Sequence, residues 1–404
     1  EIGKDPMSGS RPSAGSNPRA GNLPRVLLAI PSYRGGGAER VVTSLARRLS
    51  RDRFDIHLAV IEDDGPLGQT LPDDVTRHSL SCRRVSQAAL PFLRLVRQLR
   101  PQVVLTAASH LNALAGMLRP AFPRGTHLIV RETGVLETSL AAWRFGRVFK
   151  PALALAYRQA DRVIGQSSFA LQEIHTQLGV PQERLIRIAN PVEVDALAPS
   201  IREQTASPFG SPAESQISIN GWSRGPHLLG AGRLGTEKGF DRLIQAFPEL
   251  KRSHPHAELW IIGEGSERAP LQRLADDLGV GRSVHLPGYQ PDVSRWMAHA
   301  DLFVLSSRTE SLPNVLLEAV ACECPVVALE QVGGTRELLG QLGLSQRWVS
   351  SLVPWQDEWF DRPDPAVRET LVTHFHCKRI VAQFEELFED VAGSRSLIQH
   401  RSAG

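Results

Sequence analysis

Between Asp301 and Leu339 the chain reads as a short apolar run, a polar turn, a segment of helical spacing, a second apolar run and a glycine turn. Leu302 to Leu305 is four apolar residues with polar neighbours, the length and flanking of a buried parallel strand. Pro313 follows where a helix can start, because the missing N–H costs nothing there. Val315, Leu316, Ala319 and Val320 keep helical spacing, Pro325 to Leu329 reads as the next strand, and Gly333-Gly334 turns into another helix. A strand, a polar loop, a helix and a strand make one unit of an α/β sheet, and ligands of such sheets sit beyond the carboxyl ends of the strands.

The loop 306–314 occupies that position, and free amides at a helix start favour an anion. Glu310 lies on the loop and Glu318 about one turn into the helix, with the amides of Leu312 to Val315 between them. Two carboxylates flanking an anion site suit hydroxyl groups, as on a ribose and a sugar; equally, they suit two solvated acids beside a structural turn. The pattern of Glu, seven residues and Glu, with Leu312-Pro313-Asn314 between, resembles the signature of the retaining glycosyltransferases of family 4, which have the GT-B fold. The resemblance implies that Glu318 holds the nucleotide ribose, that Glu310 lies against the donor sugar, and that Leu312, Pro313, Asn314 and Val315 form the diphosphate loop.

A chain of 404 residues, 42% hydrophobic, fits two domains. Four cysteines at 82, 322, 324 and 377 give neither a metal set nor a call for disulfides, which suits a reducing compartment. Charge is unevenly spread: Met7 to Asp195 carries 25 Arg/Lys against 15 Asp/Glu, and Ala196 onward 20 against 26. A basic first half suits an anionic partner such as a membrane surface, a lipid diphosphate or an acidic glycan, and no nucleic-acid reader motif accompanies it. Glu1 to Pro6, ahead of Met7, read as a tag remnant, and the rest of 1–24 as a disordered N-terminus without a signal-peptide core. No run of about 18 apolar residues predicts a membrane span.

In chain order, Arg25 to Ile30 reads as a strand, Pro31 to Gly37 as a glycine loop, and Ala38 to Leu49 as a helix. Glycines there let backbone amides approach a phosphate, or simply make a tight turn. Gly36, Gly37 and Glu39 resemble the first loop of the same family, which faces the donor phosphate or the acceptor. Strands over 54–61, 102–106 and 126–130 should end at one crevice. The second feeds His110, readable as a base, a sugar ligand or a plain helix-start residue; the third ends in Arg131-Glu132, where many family members carry a histidine. Either His110 serves from the neighbouring loop, or Arg131 and Glu132 do related work. Residues 139–160 read as one long helix mixing Arg144, Arg147, Lys150 and Arg158 with Trp143, Phe145 and Phe149, suited to an anionic bilayer surface or to ordinary packing.

Asn190-Pro191-Val192 closes the first domain by position, and a Ser/Pro/Gly-rich connection follows. From His227 the sequence spells Gly230, Gly232 and Gly235, a G-x-G-x-x-G whose first glycine lies inside the strand, which weakens a dinucleotide reading. Arg233 and Lys238 leave the loop at that strand's end, where two cations can stabilise a departing diphosphate, a role the resemblance also implies. The resemblance implies that Gly263, Gly288 and Tyr289 enclose the base. Trp348, Trp355 and Trp359 read as packing, and His376 to Val391 as a helix crossing back to the first domain.

Together these readings predict two doubly wound parallel-sheet domains facing across a cleft. The acceptor-side domain spans 25–195, a linker 196–226, the nucleotide-sugar domain 227–375, the crossing helix 376–392 and a tail 393–404. The resemblance implies a retaining hexosyltransferase using a UDP- or GDP-linked sugar by front-face attack, with no metal and no cofactor beyond the donor. Its acceptor would be a glycan, lipid-linked glycan or glycolipid, and its place the cytoplasm, on the inner face of the membrane. Nucleotide-sugar 2-epimerases and non-catalytic relatives share the build and stay open.

Overall fold

A computed structural model describes residues 23–142, 146–197, 201–209 and 225–393. The first domain is built on β1 (Arg25–Ser32), β2 (Asp55–Glu62), β3 (Thr76–Ser79), β4 (Val103–Ala107), β5 (His127–Arg131), β6 (Arg162–Gly165) and β7 (Leu185–Arg187). All pair in parallel, in the order β3-β2-β1-β4-β5-β6-β7. Val26, Leu28 and Ile30 of β1 enter one core with Val42 and Leu45 of the helix Gly37–Arg48, while Leu27 and Ala29 enter another with Phe92, Val96 and Leu111. Burial of both faces is why the strand is continuously apolar rather than alternating.

In the second domain β8 (His227–Ala231), β9 (Glu258–Ile262), β10 (Val284–Gly288), β11 (Leu302–Leu305), β12 (Thr309–Glu310), β13 (Val326–Leu329), β14 (Val332–Gly333) and β15 (Trp348–Val349) follow in turn. Six of them form a parallel sheet in the order β10-β9-β8-β11-β13-β15, and β12 pairs with β14. The strand order reverses between β1 and β4 in the first sheet and between β8 and β11 in the second, so each sheet offers its ligand crevice at those strand ends. The expected two-domain α/β architecture is therefore present.

The helix Cys377–Val391 buries Ile380, Phe384, Leu387 and Phe388 in the first domain's core, with Phe388 edge-on to Phe54 at 6.0 Å. The chain thus crosses between domains twice, and the crossings are hydrogen-bonded: Val192 N–H donates to Phe375 O at 2.8 Å and Cys377 N–H to Val192 O at 3.0 Å. A second interdomain contact is made by Glu337, whose carboxylate accepts from Ser168 N–H (2.9 Å), Ser168 Oγ (3.0 Å) and Arg187 Nη1 (2.6 Å).

Three sequence expectations change. The long helix expected over 139–160 is described as Leu136–Ala142 and Gly146–Gln159; it starts early because Glu173 accepts from the Leu136 and Glu137 amides and caps that end. Trp143, Arg144 and Phe145 lie outside the described residues, as do the N-terminus through 22 and 210–224 of the connection. The described part of that connection is not inert: Ile201–Gln204 is helical, and Phe209 packs edge-on to Trp260 and Trp296. Third, β3 and β15 carry no strong apolar run and were not legible as strands. The tryptophans pack as expected, Trp359 being buried and Trp355 Nε1 donating to Ala246 O at 3.0 Å.

Candidate active site

The crevice of the second domain is framed by the loop after β8 and the loop after β11. They are locked together: Ser306 Oγ donates to Lys238 O at 3.0 Å, and Gly239, at φ +62°, comes so close that a Cβ would stand 2.2 Å from Ser306 O. Only glycine combines that backbone with that approach. Lys238 Nζ lies 2.6 Å from Glu310 Oε1, and Ser307 Oγ donates to the same oxygen at 2.8 Å. Both members of the pair are mostly buried, whereas Arg233 extends into solvent and pairs with Glu237 at 2.6 Å. The structure therefore brings Lys238 to Glu310 and leaves Arg233 at the rim.

The helix Asn314–Ala321 starts after Pro313. Its first amides, Asn314 and Val315, lack partners within the helix by geometry. Pro313 has no N–H, and the Leu312 carbonyl accepts from Asn190 Nδ2 at 3.2 Å. Asn190 also donates to Asn314 Oδ1, so this helix start is tied to the end of the first domain. Glu318 lies one turn in. Burial pushes its carboxyl above the usual range, with the Arg40 guanidinium of the first domain opposing.

Gly263 and Gly288 join the ends of β9 and β10, where Gly263 N–H donates to Gly288 O at 3.0 Å. Tyr289, 58% exposed, follows them at the open end of the crevice. Across the cleft, Gly36 and Gly37 begin the helix after β1, and a Cβ on Gly37 would stand 3.5 Å from Asn314 Nδ2. Gly37 and the helix start at 314 thus face each other from opposite domains.

His110 is the second residue of the helix Ser109–Leu118, just past β4 and Ala108, which holds φ +86°. It keeps solvent access, and partial desolvation lowers its pKa while Glu132 opposes. The alternative, that Arg131 and Glu132 reach the substrate, is not what the structure arranges. Arg131 is fully buried and donates to Asn190 Oδ1; desolvation lowers its pKa to about 10. Glu132 is buried too, accepting from Ser109 Oγ (2.9 Å), Tyr157 Oη, and the amides of Thr133 (2.9 Å) and Gly134 (3.1 Å). Glu132 is thus met by internal donors, whereas Arg131 has Asn190 as its side-chain acceptor and keeps Nε and Nη1 buried without a hydrogen-bond partner among the described residues.

Sequence reasoning missed Arg40, Ser307 and the bridging role of Asn190. Each acts through a contact between segments far apart in the chain, for which local spacing carries no signal.

Comparison with known proteins agrees with this geometry. The family model "Glycosyltransferase Family 4" matches residues 35–196, and "Glycosyl transferases group 1" matches 214–349. The chain is similar to the N-acetylgalactosamine-N,N'-diacetylbacillosaminyl-diphospho-undecaprenol 4-alpha-N-acetylgalactosaminyltransferase of Campylobacter jejuni, 28% identical over 77% of this chain and 82% of that protein. It is similar also to the GDP-mannose-dependent alpha-(1-6)-phosphatidylinositol monomannoside mannosyltransferase of Mycolicibacterium smegmatis, 31% identical over 58% of this chain and 59% of that one. Among solved structures, Anabaena HepE in complex with UDP superposes with a TM-score of 0.69 at 20% identity, covering 91% of this chain and 100% of that one, a likeness of fold. With one family model on each domain and the crevices of both sheets facing, the chain belongs to the family 4 glycosyltransferases of GT-B fold.

Proposed function

We propose that the protein is a retaining hexosyltransferase that takes its sugar from a nucleotide-diphosphate donor, UDP-linked in the first instance, and passes it to a glycan or lipid-linked glycan. The observation that carries this reading is the Lys238–Glu310 pair at 2.6 Å, set beside the helix start at Asn314 with Glu318 one turn further on. A diphosphate at that helix start would draw Lys238 to itself and free Glu310 for the transferred sugar. Glu318 would accept from the ribose hydroxyls.

In the reaction the acceptor hydroxyl attacks the anomeric carbon on the face the diphosphate leaves. The new C–O bond forms, the sugar–phosphate bond breaks, and the proton passes to the departing phosphate oxygen. Lys238 and the helix-start amides stabilise the charge that develops on that group. Closure about the paired crossings at Val192 and Cys377 would exclude water. No protein nucleophile is required, and we propose that no metal is either.

A membrane-surface acceptor is supported by exposed apolar side chains on the basic first domain. Leu90, Met117, Phe149 and Leu155 are each about half exposed, near Arg94, Arg97 and Lys150 in sequence. Among the described residues no helix is long and apolar enough to cross a membrane. The lipid-linked substrate in the name of the Campylobacter jejuni relative favours the same class.

Calorimetric titration of UDP, GDP and ADP, with and without EDTA, tests the donor site. Selective binding of UDP that survives EDTA is expected, and binding of none would overturn the reading. Proton NMR of the product linkage would then separate retention from inversion.

A further inference from the structure

The loop after β8, which carries Lys238, and the loop after β11, which carries Glu310, are joined by two ion pairs. One is the Lys238–Glu310 pair at 2.6 Å. The other starts from Arg308, two residues before Glu310, and reaches the first turn of the helix Phe240–Ser253. Arg308 Nη1 and Nη2 donate to Asp241 Oδ1 and Oδ2 at 2.7 and 2.6 Å, and Nη1 also donates to Thr236 O at 2.9 Å. The Arg308 amide donates to Glu237 O at 2.8 Å. The bond from Arg308 is the first cause holding the Asp241 carboxyl below the usual carboxylate range, and Asp241 raises the guanidinium in return.

The loop 306–311 is fixed at both ends by other contacts. At its start Arg242 Nη1 donates to the carbonyls of Ser306 (3.4 Å), Ser307 (3.3 Å) and Glu330 (3.3 Å), which ties the end of β11 to the end of β13. At its far end β12 pairs with β14, and Gly334 N–H donates to Glu310 O at 2.9 Å. Between those ends, the charged side chains that tie the loop to the segment 236–241 are Arg308 and Lys238. The Arg308 and Asp241 side chains are 45% and 36% exposed, and an exposed ion pair contributes little to stability. What two parallel bonds from a planar guanidinium supply is a fixed geometry.

We propose that Arg308, acting through Asp241, is a positioning residue that keeps the two loops in register after the donor diphosphate has drawn Lys238 away from Glu310. On the glycosyltransferase reading above, on which this proposal rests, that pair parts in every turnover. Once it parts, Lys238 on one loop holds the diphosphate while Glu310 on the other must still meet the sugar. A displacement of about 1 Å between such groups lowers a rate by roughly 100-fold. The Arg308 guanidinium is engaged by Asp241 and Thr236 O, so it acts on the spacing of the loops and not on the donor. Its removal should therefore lower turnover and leave UDP affinity to Glu318 and the amides at Asn314.

Hydrogen-exchange mass spectrometry on the full chain without ligand tests this, with Lys238→Met standing in for the departed lysine. Lys238→Met and Asp241→Asn should each raise exchange of the 306–311 amides less than about threefold, because the other bridge remains, and the double variant about 30-fold or more. Arg308→Gln should match Asp241→Asn, and the two together should do no more than either alone, since both remove one contact. Both should melt within about 4 °C of wild type, as an exposed pair predicts. Turnover is read as UDP released from UDP-glucose, UDP-galactose and UDP-N-acetylglucosamine with water as acceptor. There Asp241→Asn and Arg308→Gln should lower kcat about 10- to 100-fold while the UDP dissociation constant changes less than about threefold, and Arg308→Lys should fall between wild type and Arg308→Gln. Exchange in the Lys238→Met, Asp241→Asn double variant no greater than the product of the single effects overturns the positioning role. So does an unchanged kcat where wild type turns a donor over. A wild type that binds no UDP removes the donor reading, and the ligand-free exchange measurement still decides whether Arg308 holds the loops.

Discussion

Glu318→Gln should weaken donor binding and strengthen the fold at the same time. In the unliganded protein the carboxylate is desolvated, which raises its pKa, and the Arg40 guanidinium opposes without cancelling that effect. Because the folded-state pKa is raised, the folded chain holds the proton more tightly than the unfolded one. The stability this confers is present below the unfolded value of about 4.3 and is lost as pH climbs through the folded value. Above the folded value the wild-type chain therefore bears a desolvated charge that glutamine does not. Removing it should raise stability by about 1 kcal/mol, or roughly 2–4 °C in melting temperature for a domain of this size. If ribose hydroxyls donate to Glu318, each such bond to a charged group contributes about 1.5–3 kcal/mol. Glutamine keeps one acceptor oxygen, so the net loss is about one such bond, and the dissociation constant for UDP should rise about 10- to 100-fold. Calorimetric titration gives the affinity, and scanning calorimetry between pH 4 and 8 gives the stability, whose gain over wild type should grow with pH. Unchanged UDP affinity would refute the ribose assignment. A melting temperature lowered at pH 7.5 would refute the account of the buried charge.

Lys238→Met should lower kcat/KM about 10²- to 10³-fold, measured by release of the nucleoside diphosphate, because it removes the cation nearest the proposed leaving group. Asn190→Ala should cost about 3 kcal/mol in urea unfolding, since it strips the buried Arg131 of its partner; Arg131→Met in that background should restore part of the loss, as no unpaired charge remains. Phe388→Ala should destabilise the first domain by about 3–5 kcal/mol despite lying in the last helix, and a cost confined to fraying of that helix would contradict its place in the core. Phe149→Asp combined with Leu155→Asp should abolish flotation with anionic vesicles at low salt if the half-exposed apolar face meets a bilayer, and unaltered flotation would remove that basis for a membrane-bound acceptor.

Much of this was legible in the sequence for a physical reason. Strands buried on both faces must be continuously apolar, so β1, β4, β5, β8, β9 and β11 announce themselves, and the helices between them keep their spacing. Loops at strand ends carry the polar chemistry, so Glu310, Glu318, Lys238 and the Gly36-Gly37 turn stand out against that background. The edges did not show. The strand Thr76–Ser79 is mostly exposed, and β15 is two residues long, so neither has an apolar run to read.

What the amino-acid order determined by itself was the alternation of strands and helices, the break between the two basic and acidic halves, and the loops where chemistry is possible. Tertiary structure alone decided which of those charges are available. It sank Arg131 and Glu132 into the wall beside Asn190, Ser109 and Tyr157, left His110 open, paired Lys238 with Glu310, and brought Arg40 to face Glu318 from the other domain. Local spacing records which side chains a segment carries. Desolvation and pairing depend on what a distant segment brings beside them, and that is settled only when the two sheets face each other.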